Sequence, residues 1–224
     1  MKKVFFLFVL AVMAVSCSNN KLNAPDMPIS QNVVASAPNP VLVWYDLTLK
    51  LAKMDFMEIK EYMLAHDWTV RDVDNTWFTK ISDSGITFDY EVDWGNIYTE
   101  AGSLSANIWF SDTAMMSVED VQSAITKIGS SFVINGYHMD FKPDYPYWFN
   151  GSLMTEQPTF EELVSMIGQD SDGVTYIEWA CNELEDSGRM SVSVRCEDVN
   201  GTQYVSSIHF RVLVPGKDYR VAWL

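Results

Sequence analysis

The chain has 224 residues, of which 48% are hydrophobic and 13% aromatic, so it can bury a core and is not intrinsically disordered. Its 30 acidic residues outnumber its 15 basic ones, which gives a formal net charge of −15. Because binding to a phosphate backbone needs clustered cations, this charge excludes nucleic acid as a partner.

The first sixteen residues, 1–16, predict a signal peptide. Lys2 and Lys3 precede an apolar run over 4–15 that is too short to span a bilayer as a helix. The next segment, Ala14-Val15-Ser16-Cys17, resembles the lipobox of bacterial lipoproteins, with Ala14 where that motif usually has Leu. The resemblance implies that Cys17 becomes the first mature residue and carries the acyl chains. The alternative is an ordinary secretory signal with an incidental cysteine.

This resemblance implies a protein of the bacterial cell envelope, attached to the membrane through its lipid anchor. Several acyl chains anchor a protein stably. Ser18 rather than Asp follows the cysteine, which by resemblance disfavours the inner membrane, so we expect the outer membrane, facing the periplasm. Loss of 1–16 removes two lysines and no acid, which changes the net charge from −15 to −17. Residues 17–40 hold four prolines and no hydrophobic period, and they predict a flexible tether.

Three segments share the pattern of a helix start. Asp55, Ser117 and Thr159 are predicted N-caps, each with an acidic residue three positions later and apolar residues at helical spacing after it. Gly129 and Gly168 are predicted C-caps. The pattern has two interpretations: an internal repeat, or three unrelated helices of the common capped amphipathic form.

Elsewhere the hydrophobic period is two, which predicts antiparallel strands with one buried face and one solvated face. The predicted strands lie at 41–51, 88–94, 104–110, 174–183, 189–197, 204–214 and 219–224. We therefore predict an α+β fold with antiparallel sheets, helices packed on one face, and two related or adjoining halves. The order of elements is similar to that of cystatin, PepSY-type and beta-lactamase-inhibitor-protein architectures.

The predicted organisation has three parts after the tether. Residues 41–142 form an α+β half with an N-terminal strand and two helices. Residues 143–155 form an aromatic linker. Residues 156–224 form a helix followed by a four-stranded antiparallel meander.

No catalytic or metal-binding motif stands out. His66, His138 and His209 have no partner at metal-ligand spacing, and nucleotide-binding glycine loops are missing from the sequence. Asp170-Ser171-Asp172-Gly173 hints at a calcium loop, but Gly168 and Trp179 would then occupy its first and last ligand positions, so we predict a turn. We expect a protein that is not an enzyme and that takes no cofactor or metal.

The candidate binding surface combines acidic and aromatic side chains. Its members are Trp109 on the same strand face as an acidic stripe (Asp89, Glu91, Asp93), a loop tip (Ile97, Tyr98), and the aromatic linker (Tyr145, Tyr147, Trp148). Exposed Tyr and Trp are typical of binding hot spots. The alternatives are a plain solvated acidic face and a linker packed between the halves. We favour the packed linker, in which Trp148 is buried.

Cys181 and Cys196 are disulfide candidates, because the envelope is oxidising. A two-residue turn at Gly188-Arg189 would place them directly opposite each other on neighbouring strands. A four-residue turn over 186–189 would set Cys181 opposite Val194 and leave two buried thiols. The sequence leaves both outcomes open.

Taken together, these features predict an envelope lipoprotein that acts as a non-catalytic binding module for a protein or a glycan. The alternative is an inhibitor or immunity-type protein against a secreted enzyme. A basic enzyme would be the natural target of such an acidic chain.

Replacing Cys17 by Ser tests the lipid anchor. We expect the Cys17→Ser protein to leave the membrane fraction, because it has no thiol to acylate, whereas the parent partitions with membranes and into detergent. A variant that still fractionates like the parent would contradict the anchor.

Overall fold

A computed structural model describes residues 39–71, 77–82, 86–96, 101–112, 114–130, 132–184 and 188–216, and of 91–96 and 101 the backbone alone. The predicted signal peptide, Cys17, the tether up to residue 38 and the predicted strand at 219–224 lie outside the described residues. Among the helices within these ranges, none has the length and apolar character needed to cross a membrane.

The described chain contains four helices and twelve strands. The helices are α1 (Pro40–Ala52), α2 (Phe56–Ala65), α3 (Val118–Gly129) and α4 (Phe160–Met166). The strands are β1 (Thr69–Val70), β2 (Trp77–Ile81), β3 (Thr87–Asn96), β4 (Ala101–Trp109), β5 (Met116–Ser117), β6 (Phe132–Ile134), β7 (Tyr137–Phe141), β8 (Trp148–Phe149), β9 (Ser152–Leu153), β10 (Val174–Cys181), β11 (Arg189–Val199) and β12 (Thr202–Pro215).

Ten of these strands form one antiparallel sheet against which the helices pack, so the predicted α+β fold is confirmed. The strand order is β1-β2-β3-β4-β12-β11-β10-β7-β6, with β5 also pairing with β12, while β8 and β9 form a separate hairpin. The long pairing of β4 with β12 joins the segment before the aromatic linker to the segment after it. The two predicted halves therefore share a single sheet, in which β10–β12 of the second lie between β1–β4 and β6–β7 of the first.

The predicted N-terminal strand at 41–51 is wrong, because these residues form helix α1. Asn39, within the predicted tether, accepts a hydrogen bond from the Val41 amide, and Pro40 occupies the first turn, where its missing N–H costs nothing. The buried residues Val41, Trp44 and Thr48 follow helical spacing, and Val43 is 47% exposed. The alternation of apolar and polar residues over 41–51 placed Thr48 on a solvated strand face. In the structure Thr48 is buried, and its hydroxyl donates to the Trp44 carbonyl at 2.9 Å.

The three predicted N-caps are confirmed. Asp55 and Thr159 form reciprocal capping boxes with Glu58 and Glu162, and the Ser117 hydroxyl accepts from the Asp120 amide. A hydrogen bond from the Thr159 amide, and secondly one from its side chain, hold the pKa of the Glu162 carboxyl below its usual range. The strands that follow α2, α3 and α4 differ in number and in place in the sheet.

Gly168 follows the end of α4 with φ +82°, as expected for a residue just past a helix C-terminus. Gly129 is not a C-cap, since α3 continues through it to a cap at Ser130. Any Cβ at position 129 would overlap the Phe160 ring, so this glycine allows close approach of α3 and α4.

Aromatic rings fill the interface between helices and sheet. Trp44 of α1 stacks on Phe88 of β3, with ring centroids 4.7 Å apart, and meets Trp68 edge-on at 5.6 Å. Phe160 of α4 lies 5.9 Å from the buried Trp179 of β10. Such pairs add directional contacts to the burial of apolar area, so they fix which face of the sheet the helices cover.

The cysteines are far apart along the sheet, and both proposed registers are wrong. Trp179 pairs with Met190, which places Cys181 against Gly188 at one end of the β10–β11 ladder and Cys196 against Gly173 at the other. The connection between the strands is longer than either predicted turn. Both cysteines are free and buried, and burial raises the pKa of the Cys196 thiol to about 11.

Thiol alkylation checks this arrangement. When the protein is unfolded without reductant, both Cys181 and Cys196 should react, because no bridge protects them. In the folded protein near pH 7 we expect slow labelling of Cys196, since a buried thiol with a raised pKa is rarely a thiolate. Protection of both positions after unfolding would contradict the register.

Candidate functional site

The central strands carry an open face, by which we mean the side of β3, β4, β12, β11 and β10 opposite the packed helices. Because neighbouring strands are in register, its residues form rows across the sheet. The first row is Thr87, Trp109, Ser207, Arg195 and Val174, and the second is Asp89, Asn107, His209, Ser193 and Tyr176. The third is Glu91, Ser105, Arg211, Ser191 and Glu178, and the fourth is Asp93, Ser103, Leu213, Arg189 and Ala180.

Trp109 stands half-exposed in the first row. Its side chain is 48% exposed, although the even-numbered residues of the same strand are buried on the helix side. It lines a depression of about 360 Å³, the Trp109 pocket. The other side chains lining this pocket are mostly polar: Asn107, Val174, Ser193, Arg195, Ser207 and His209. An aromatic ring surrounded by hydrogen-bonding groups is suited to a ligand with both apolar and polar surface.

His209 lies at the centre of this face. Burial, and secondly the positive charge of Arg211, lower the pKa of His209 below its ordinary value. The imidazole is therefore neutral at pH 7, where one ring nitrogen donates a hydrogen bond and the other accepts. It contributes hydrogen bonding to the site rather than charge.

A second depression, the Glu178 pocket, has a volume of about 150 Å³. Its lining consists of Tyr145, of Tyr176 in the second row, and of Glu178, Ser191, Arg211, Arg189 and Leu213 in the third and fourth rows. Glu178 is 3% exposed. The Tyr176 hydroxyl donates to its Oε2 at 2.5 Å, and Arg189 Nη1 lies 3.7 Å from its Oε1. Burial is the main cause, and this hydrogen bond the second, of the raised pKa of Tyr176. Each oxygen of the Glu178 carboxylate therefore has a partner, and the charge of Arg189 compensates that of Glu178.

The predicted acidic stripe is only partly what the sequence suggested. Asp89 shares the face of Trp109, as predicted, but it is buried rather than solvated, and Arg71 Nη1 lies 3.7 Å from its carboxylate. The backbones of Glu91 and Asp93 pair with Ser105 and Ser103. Their side chains lie outside the described part, as do Ile97 and Tyr98.

The aromatic segment 143–155 divides into a packed part and an exposed part. Tyr147 is buried, donates to the Lys142 carbonyl at 2.8 Å and accepts from the Glu178 amide at 3.3 Å. Tyr145 is half-buried between Tyr147 and Tyr176, with ring centroids at 5.4 and 5.2 Å. Trp148 is 61% exposed, so the expectation that it is buried is wrong. It begins the short β8–β9 hairpin, which turns its side chain away from the core.

The segment 170–173 forms a turn between α4 and β10. The Asp170 side chain accepts from the amides of Asn150 and Asp172, and the Gly173 amide donates to the Asp170 carbonyl. These bonds fasten the tip of the β8–β9 hairpin to the turn. Within the described ranges, no three His, Cys, Asp or Glu side chains converge as metal ligands would.

Sequence reasoning missed Arg195, His209, Arg211 and Glu178 as members of the site. The signal was present in the alternation of the predicted strands 189–197 and 204–214, whose polar positions include the first three. That alternation showed which residues share a face, but not that β12 would lie beside β4 and bring them to Trp109.

Comparison of the chain with models of protein families, with curated proteins and with solved structures finds no match.

Two substitutions separate the packed from the exposed part of the aromatic segment. Tyr147→Ala should lower the free energy of unfolding by about 3–5 kcal/mol, because it leaves a cavity and unpartnered backbone groups. Trp148→Ala should change it by about 0.5 kcal/mol or less, since its side chain is exposed. Denaturant unfolding of both variants measures the difference, and equal losses would contradict the described packing.

Proposed function

We propose that this chain is a lipoprotein of the bacterial cell envelope that binds a partner without transforming it. It attaches through acyl chains on Cys17 to the outer membrane and faces the periplasm. The segment 17–38 tethers the folded part, and the open face of the sheet binds the partner. Of the two partner classes that the sequence suggests, protein and glycan, the site favours a glycan.

The observation that carries this proposal is Trp109. It is a large aromatic side chain, half exposed, at the end of β4 and surrounded by polar side chains. Its flat ring can cover the apolar face of a sugar. The amide of Asn107 and the hydroxyls of Ser193 and Ser207 lie around it at positions suited to the hydroxyl groups of that sugar.

The composition of the pocket also supports a glycan over a protein. Protein interfaces concentrate several buried apolar anchors at their centre. The Trp109 pocket offers one aromatic ring, one aliphatic side chain (Val174) and five polar side chains. Such a lining is matched best by a ligand that is itself mostly hydroxylated.

The Trp109→Ala variant tests this function, with Trp148→Ala as the matched control. Both replace an exposed tryptophan, but only the first lies in the Trp109 pocket. The mature lipoprotein in detergent would be titrated against a panel of bacterial envelope polysaccharides by isothermal calorimetry. We expect Trp109→Ala to weaken binding about tenfold, or about 1.4 kcal/mol, and Trp148→Ala to leave it unchanged. The bound glycan should be recovered at its original length.

Three outcomes would contradict the proposal. They are unchanged binding by Trp109→Ala, loss of binding by Trp148→Ala alone, and shortening of the glycan. The second would move the site to the β8–β9 hairpin, and the third would make the protein an enzyme.

A further inference from the structure

The arginines of this acidic protein are concentrated on the open face. Arg189, Arg195 and Arg211 occupy three of its rows, and Arg71 reaches it at Asp89. These four are all the arginines in the described part of the chain. The described lysines, by contrast, lie mainly on the helices and at the sheet edge: Lys50, Lys53, Lys60, Lys80, Lys127 and Lys142. The open face therefore concentrates the arginines of a chain of net charge −15, in the same rows as the acidic residues Asp89, Glu91, Asp93 and Glu178.

Two of the four arginines form no ion pair with a described side chain. Arg71 is paired with Asp89 and Arg189 with Glu178. Among the carboxylates whose side chains the structure describes, which exclude Glu91 and Asp93, none lies within salt-bridge distance of Arg195 or Arg211. The side chain of Arg211 is nevertheless oriented, because its Nε donates to Ser103 Oγ at 3.3 Å. Both residues are exposed, so their guanidinium groups are available to an anion.

The spacing of these two arginines points to an extended ligand. Arg195 lies opposite Ser207, and Arg211 is four residues further along the same strand, β12, as Ser207. At a rise of about 3.4 Å per residue, the two backbone positions are about 14 Å apart along the strand. Arg195 lines the Trp109 pocket and Arg211 the Glu178 pocket, so each would bind an anionic group of its own. A chain that repeats its carboxylates can supply both groups.

The surface between the two arginines is neutral and rich in hydrogen-bonding groups. It consists of His209, uncharged at pH 7, and of Ser191 and Ser193, which lie opposite Arg211 and His209 on β11. Trp109 stands at one end, about two strand spacings from Arg195. Trp109 and Arg195 thus lie in the first row, His209 and Ser193 in the second, and Arg211 in the third.

We infer that the open face binds an acidic polysaccharide, with one uronate carboxylate on Arg195, a second on Arg211, and a sugar ring stacked on Trp109. This inference rests on the proposed function and narrows its ligand class. The planar guanidinium matches a carboxylate with two parallel N–H bonds, which a lysine cannot do. The net negative charge of the chain repels the same polymer, so contact is confined to the part of the face around Arg195 and Arg211.

Matched ligands and matched variants test the inference. The ligands are alginate, polygalacturonate and a glucuronate-containing polysaccharide, each in its native form and in its carboxyl-reduced, neutral form. The variants of the mature lipoprotein are Arg195→Gln/Arg211→Gln and, as control, Lys60→Gln/Lys127→Gln, which removes the same charge from α2 and α3. Circular dichroism melting establishes that each variant is folded.

We expect at least one native polymer to bind at least tenfold more tightly than its reduced form. The arginine pair should lower affinity for that native polymer to the level of the reduced one, and the lysine pair should have no effect. Trp109→Ala should weaken binding of both forms by the same factor, because stacking does not depend on the carboxylate. Affinity of the native polymer should also fall as sodium chloride is raised.

Equal binding of native and reduced polymers would overturn the acidic ligand and leave the proposed glycan-binding function standing. An equal loss from the lysine pair would overturn it too, because the effect would then come from net charge. If no polysaccharide binds, charged or neutral, here or across the envelope panel, both the inference and the proposed glycan-binding function fail.

Discussion

The pairing of β4 with β12 is the interaction on which the open face depends. It runs from Trp109 opposite Ser207 to Ala101 opposite Pro215, and it joins strands that are about a hundred residues apart in the chain. Without it the described strands would form two smaller sheets, and Trp109 would have no polar neighbours from β12 and β11. The loop closure is long, but each further doubling of loop length costs only about 0.6 kcal/mol. The burial of Leu104, Ile108 and Phe210 on the helix side outweighs that cost.

Local signals in the sequence were sufficient for the three N-caps and for most strands. They were insufficient at the Gly129 C-cap and where one buried polar group interrupted the hydrophobic pattern. Thr48 is the clearest case, because its hydroxyl donates to the Trp44 carbonyl within α1 and is therefore buried with a hydrogen-bond partner. Asn39 and Pro40 gave the correct signal for a helix start. The alternation of apolar residues over 41–51 competed with that signal, and only tertiary packing decided between them.

The β10–β11 register and the set of residues that meet on the open face depend on how the strands pair, and no local pattern could have predicted them. The β10–β11 register depends on Gly188, which packs against Cys181 and Pro215 where a side chain would not fit. The parity of Trp109 predicted its exposed side correctly. The parity of Arg195, His209 and Arg211 was equally readable, but their meeting with Trp109 depends on strand order, which a single sequence does not encode locally.

The arginines of the open face differ in whether they are paired with an acidic side chain. The buried Glu178 neutralises Arg189, and Asp89 neutralises Arg71, so these pairs hold the sheet and its edge without offering charge to a ligand. In the proposed complex, Arg195 and Arg211 bind the carboxylates of the ligand. Long-range repulsion by the net negative charge of the chain would slow the approach of such a polyanion in every orientation except the one that presents these two guanidinium groups. An acidic chain and the proposed acidic ligand are therefore compatible, and the combination would make binding selective for orientation as well as for chemistry.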